Sequence, residues 1–190
     1  MRKLILASTS PRRKKILKFI GIPFKSAAPR GVIEKKRSGE TPRQLVARLA
    51  LEKALSIHRS YKNQWVLGAD TLVVQKGMVY GKPRNPREAL RNLRRFSGAG
   101  HQVLTGMALA APGGKVWMGV GKSAVYFREL ERNELAHYVR TPEPYDKAGG
   151  YDIRGSARHW IHKLEGDYFN VMGLPAALLL KALTSTGFFK

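Results

Sequence analysis

Short apolar runs in this chain alternate with longer stretches in which apolar residues recur every three or four positions. The first pattern fits buried strands and the second fits amphipathic helices. Leu4–Ala7 is an unbroken apolar run and predicts a strand. Pro11–Ile20 predicts a helix with Ile16, Leu17, Phe19 and Ile20 turned inward. Pro23–Ala28 predicts a second strand, and residues 30–39 an irregular polar connection. Thr41 is placed to cap a helix running from Pro42 to about His58, with Leu45, Val46, Leu49, Ala50 and Ala54 on one face.

Trp65–Leu67 reads as a strand entering Gly68-Ala69-Asp70-Thr71, with Leu72–Gln75 continuing it. Lys76-Gly77 is a turn signal, so Met78–Tyr80 returns as a hairpin. Pro86–Phe96 predicts a helix with Ala89, Leu90 and Leu93 inward. Long strands are expected at His101–Ala111 and Val116–Arg128, joined at Pro112-Gly113-Gly114. A helix over Leu130–Arg140, a Gly-rich loop or bulged strand over Ala148–Gly155, strands over His159–Leu164 and Tyr168–Met172, and a closing helix over Leu174–Leu183 complete the reading. Helices alternate with strands early and hairpins appear late. That order predicts a mixed α/β sheet flanked by helices.

At 190 residues and 43% hydrophobic content the chain is expected to form one folded domain over 1–190. It has no cysteine, which excludes disulfides and thiolate metal sites. The start of the chain lacks the shape of a signal peptide, and no apolar run is long enough to span a membrane. A cytoplasmic protein with no membrane partner is the expectation. The formal charge of +22 attracts polyanions, and non-specific nucleic-acid binding is one consequence to test. The basic residues are scattered from Arg2 to Lys190, so they form no basic tail.

Chemistry concentrates at a few places. Ser10 suits an N-cap and Pro11 the first helical position, so free backbone N–H groups, the helix dipole, Arg12 and Arg13 would face one spot suited to phosphate. The same residues also fit a capped surface helix with solvated arginines. Asp70 follows an apolar run and reads either as a strand-end acid in a cleft, binding metal or acting as a base, or as a turn residue. Glu34 stands beside Lys35-Lys36-Arg37; with Asp70 it could supply the few oxygen ligands that Mg²⁺ needs, or it could be a solvated acid among lysines. Lys53, Lys82 and Lys147 lie in contexts that admit phosphate contact or plain solvation. There is no Walker-type loop and no dinucleotide fingerprint. The histidines show no zinc-ligand spacing and read as structural.

Taken in order, Leu6-Ala-Ser-Thr-Ser-Pro-Arg-Arg13, Arg48–Ala54, Gly68–Thr71 with Gly81-Lys-Pro83, Phe96–Gly98 with His101–Gly106, and Glu143–Tyr151 leading to Val171–Pro175 resemble the Maf-type nucleoside triphosphate pyrophosphatases, also called septum-formation inhibitors. The resemblance spans Leu4 to Leu183. It implies a mixed α/β fold with a deep nucleotide cleft, often dimeric, and an association with cell-division arrest. It implies cleavage of a nucleoside triphosphate to the monophosphate and pyrophosphate with a divalent cation such as Mg²⁺, Mn²⁺ or Co²⁺. Asp70 would be the catalytic acid–base residue and a metal contact, with Glu34 a second metal-side carboxylate. Ser8, Ser10, Arg12, Arg13, Lys53 and Lys82 would hold the triphosphate.

One branch of that family takes dTTP, UTP and modified pyrimidine nucleotides; another takes 7-methyl-GTP. Arg12 and Thr71 resemble the pyrimidine branch. Arg154 stands where that branch usually has Gln, so a shifted substrate is the alternative. Gln offers both a donor and an acceptor to a base, whereas Arg only donates. Ile33 stands where the family usually has an acid before Glu34. These departures, with the charge, keep a basic nucleic-acid-binding regulator as a second class of function.

Overall fold

The computed structural model describes residues 2–190. Its centre is a seven-stranded mixed sheet. The strands are β1 (Leu4–Ala7), β2 (Phe24–Ala27), β3 (Val66–Gln75), β4 (Met78–Tyr80), β5 (Gly100–Ala110), β6 (Val116–Phe127) and β7 (Ile161–Glu165). They lie in the order β2-β1-β3-β5-β6-β7, with β4 paired to β3. β1 runs parallel to β2 and β3, and the remaining pairs are antiparallel.

Alternation along β1 explains the layers. Leu4 and Leu6 join a core with Ile16 and Leu17 of α1 (Pro11–Phe19), Leu67, Met107, Leu109 and the closing helix α6 (Ala176–Ser185). Ile5 and Ala7 point the other way, onto Ala50, Ala54 and Ile57 of α2 (Pro42–His58). Successive strand residues face opposite sides, so a four-residue apolar run serves two cores. A third, aromatic-rich core joins α3 (Pro86–Phe96) and α4 (Arg132–Tyr138) to Tyr80, Phe127, Tyr151 and Trp160.

Helix α2 sits close on the sheet because two strand positions carry no side chain. A Cβ at Gly68 would fall 2.1 Å from the Ala50 carbonyl oxygen, and one at Gly106 would fall 2.1 Å from that of Val46. The caps follow the sequence: Ser10 accepts from Arg13 N, and Thr41 with Gln44 forms a capping box. No helix among the described residues is long and apolar enough to cross a membrane.

Several local expectations change. Strand β3 runs unbroken from Val66 to Gln75, so Asp70 lies inside the strand opposite Gly106, neither at a strand end nor in a turn. Phe19, expected inward, is 77% exposed; α1 ends at that residue and its ring packs at the surface against Phe169. Tyr168–Val171 is a short helix, α5, where a strand was expected. Gly166, at φ +100°, turns the chain, and Asp167 accepts from Phe169 N to start the helix. Helix α4 is shorter than the expected Leu130–Arg140 because the Glu131–Glu134 capping box sets its start. His159 lies in a 3₁₀ turn ahead of β7.

Candidate functional site

The site lies at a gap in the sheet. β1 pairs with β3 at Val66 and Leu67, and β4 joins β3 only from Val73 onward. Between these partners the edge of β3 at residues 68–72 is open, and Asp70 and Thr71 reach the same cavity from opposite faces of the strand. The cavity measures about 630 Å³. Ser8, Ser10, Arg12, Arg13, Glu34, Lys53, Asp70, Thr71 and Lys82 all line it. Arg154 is not among its lining residues.

On one face, Asp70 meets α2. Lys53 Nζ lies 2.5 Å from Asp70 Oδ1 and 2.5 Å from Glu34 Oε1. Lys53 sits on the inner face of α2 with Leu49 and Ala50, which is why a lysine is buried there at all. The irregular segment that carries Glu34 is tethered to the same helix. Arg48 donates to the Lys35 carbonyl at 3.0 Å and to Glu40 at 2.7 Å, and Arg37 donates to Glu52. Burial raises the Asp70 carboxyl above its ordinary range against the pull of Lys53 and Arg13. Burial acts on Glu34 in the same direction, but the Lys53 hydrogen bond and the charges of Lys53, Lys82 and Arg13 outweigh it and hold that carboxyl low.

On the other face, Thr71 meets α1. Arg13 donates Nη2 to Thr71 Oγ1 at 3.2 Å, Nη1 to Ser8 Oγ at 3.2 Å and Nε to the Gly173 carbonyl at 2.8 Å. Three neutral acceptors therefore fix the guanidinium, and two of its five N–H groups remain for a ligand. Burial lowers its basicity, partly offset by Asp70. Thr71 in turn contacts Thr105, which donates to the Asn170 carbonyl. Arg12 crosses to Asp146 at 3.3 Å.

Sequence reasoning missed part of this wall. Asp146, Tyr151 and Asp152 also line the cavity, and Lys147 stands among them. The signal available was the density of charge in Asp146-Lys147 and Asp152-Ile-Arg154 around a Gly-Gly pair. Tyr151 is braced by His101, whose Nε2 lies 2.7 Å from its hydroxyl. Burial pushes His101 down to about 3 and raises the Tyr151 phenol. Both groups are therefore neutral across the ordinary pH range.

Among the described residues no cluster of three or more metal-ligating side chains occurs. Glu34 and Asp70 are two hard oxygen donors converging on one ammonium. That donor set fits Mg²⁺, which is commonly held by one or two carboxylates together with substrate phosphates.

Six basic and four acidic side chains line the cavity, an excess of positive charge around a buried carboxylate. Fold and site together define a mixed α/β protein with a cavity suited to an anionic ligand. The chain belongs to the Maf family: the family model described as Maf-like protein matches residues 3–186. It is 46% identical over 188 residues to a dTTP/UTP pyrophosphatase from Symbiobacterium thermophilum, covering 99% of this chain and 96% of that one. It is 44% identical over 186 residues to a dTTP/UTP pyrophosphatase from Syntrophus aciditrophicus, covering 97% and 90%. Among solved structures, the Staphylococcus aureus Ham1 protein aligns with 66% of this chain and 72% of its own at a TM-score of 0.45 and 12% identity.

Proposed function

We propose that this protein is a metal-dependent nucleoside triphosphate pyrophosphatase that hydrolyses dTTP, UTP and related pyrimidine triphosphates to the monophosphate and pyrophosphate. The observation that carries this reading is the convergence of Glu34 and Asp70 on Lys53 inside a cavity that also holds Arg12, Arg13 and Lys82. The curated relatives carry the same activity in their names.

The mechanism follows from what each group can do. Arg12, Arg13, Lys53 and Lys82 bind the triphosphate oxygens, with Ser8 and Ser10 lining the loop under them. Glu34 and Asp70 would hold the divalent cation, which when bound neutralises phosphate charge and lowers the barrier to attack by water. Asp70, raised by burial, accepts the proton of the attacking water. A bond forms between the water oxygen and the α-phosphorus, and the bond from that phosphorus to the α–β bridging oxygen breaks. Pyrophosphate leaves with its new charge held by the cationic side chains, which are fixed beforehand by the protein. Arg13 is the best example, since three acceptors orient it without ligand.

Product analysis tests the reading. Incubation of UTP with the protein and Mg²⁺ should give UMP and pyrophosphate in equal amounts. UDP with orthophosphate would place the cleavage at the wrong bond, and preferential cleavage of 7-methyl-GTP would move the substrate to the other branch of the family.

A further inference from the structure

A buried carboxylate in a cavity lined mostly by basic groups is costly unless it is paired or meets a hydrogen-bond donor. Three of the four cavity carboxylates have other work. Glu34 and Asp70 hold Lys53, and the exposed Asp146 holds Arg12. Asp152 is different. Its side chain is only 10% exposed, and it is gripped by Arg154, a residue outside the cavity lining.

The lone pairs of Asp152 can be counted. Oδ1 accepts from the Arg154 backbone N–H at 2.9 Å and from Arg154 Nε at 3.2 Å. Each carboxylate oxygen offers two acceptor sites, so Oδ1 is full. Oδ2 accepts from Arg154 Nη2 at 2.9 Å and keeps one site. Lys147 Nζ is 4.0 Å from Oδ2, beyond hydrogen-bond reach. Lys147 donates to the Glu143 carbonyl and to Asp146, which leaves one of its three N–H groups. Asp152 Oδ2 therefore keeps one open acceptor site on this wall, and the Lys147 ammonium with its remaining N–H stands 4.0 Å from it.

We propose that Asp152 Oδ2 accepts the imide N3–H of a uracil or thymine base, that Lys147 donates to a carbonyl flanking it, and that Arg154 is the positioning residue for the Asp152 carboxylate. The assignment rests on the nucleotide reading above. It places the acceptor that a Gln would have supplied on Asp152, since Arg154 can only donate. Cytosine and adenine present a bare ring nitrogen to the same lone pair and are repelled. Guanine presents two adjacent N–H donors and would need both carboxylate oxygens, of which Oδ1 is already spent.

The test compares UTP, 5-methyl-UTP, N3-methyl-UTP and CTP as substrates of the full chain. Calorimetric binding of the non-cleaved α,β-imido-UTP and its N3-methyl form runs alongside. Wild type should take 5-methyl-UTP within a few-fold of UTP. It should disfavour N3-methyl-UTP and CTP by on the order of 10- to 100-fold, the cost of leaving a buried acceptor unpaired. Asp152→Ala should bring the N3-methyl penalty down to within about threefold. Arg154→Ala should narrow the same preference through a raised KM for UTP, the split expected of a residue that orients a base-reading carboxylate. Wild type that treats N3-methyl-UTP like UTP overturns the assignment with no variant needed, as does Asp152→Ala that keeps the whole penalty. Binding of imido-UTP with the N3 preference but without turnover of UTP upholds the assignment and overturns the pyrophosphatase reading alone. Absence of both binding and turnover overturns both.

Discussion

Lys53 Nζ stands 2.5 Å from Asp70 Oδ1, and each of the two side chains is 9% exposed. An ion pair this deep is costly to break from one side. Lys53→Met leaves the Asp70 carboxylate buried without its nearest cation and should cost about 3–5 kcal/mol in denaturant unfolding. Asp70→Asn keeps the shape, leaves Lys53 paired with Glu34, and should cost far less. Equal losses in the two variants would contradict this asymmetry.

The approach of α2 to the sheet depends on two absent side chains. Gly106→Ala places a Cβ 2.1 Å from the Val46 carbonyl oxygen, backbone that no rotamer change can relieve. Helix α2 must lift, and Lys53 with it. The variant should unfold with a loss of at least about 3 kcal/mol, at the severe end for a single added methyl. Thermal unfolding measures this, and a wild-type midpoint would show that α2 packs less closely than described.

His101 predicts how stability depends on pH. Burial holds its ring down to about 3, whereas the unfolded chain takes a proton near its ordinary value of 6.5. The unfolded state then binds more protons between those two values. Stability from the neutral ring is complete above about 6.5 and is lost as pH falls toward 3. Between pH 7 and 4.5 the loss should be about 2–3 kcal/mol. Denaturant titrations at the two pH values measure it. His101→Gln, which keeps a polar partner for Tyr151, should flatten the difference.

In the proposed mechanism Glu34 and Asp70, the two carboxylates that converge on Lys53, hold the divalent cation. Chelation should abolish pyrophosphate release, and added Mg²⁺ should restore it. Glu34→Gln should raise the Mg²⁺ concentration needed for half-maximal rate. Turnover that survives exhaustive chelation would remove the cation from the mechanism.

Much of this was legible in the sequence because its signals are local. Thr41 and Ser10 cap the helices they were expected to cap. The run Leu4–Ala7 is a strand buried on both faces, and Lys76-Gly77 makes its hairpin. The failures share a cause, which is that tertiary partners decide them. Asp70 reads as a strand-end acid or a turn residue until Gly106 on β5 pairs with it inside a continuous strand. Phe19 fits the helical period, but α1 ends there and the ring stays largely exposed, packed at the surface against Phe169. Tyr168–Met172 has strand composition, but Gly166 and Asp167 open a helical turn instead. The cationic lining of the cavity was readable from Ser10-Pro-Arg-Arg13 and Gly81-Lys-Pro83 because those groups cluster along the chain. The Asp152–Arg154 pair was not, since only the fold shows which of the two lines the cavity.

Pyrophosphate release from UTP and dTTP with Mg²⁺, by wild type and by Asp70→Asn, tests the central claim most directly. The variant should lose roughly 10²–10⁴-fold in rate, the usual worth of a general base, with an unchanged circular dichroism spectrum. Full turnover by a correctly folded Asp70→Asn protein would contradict the account.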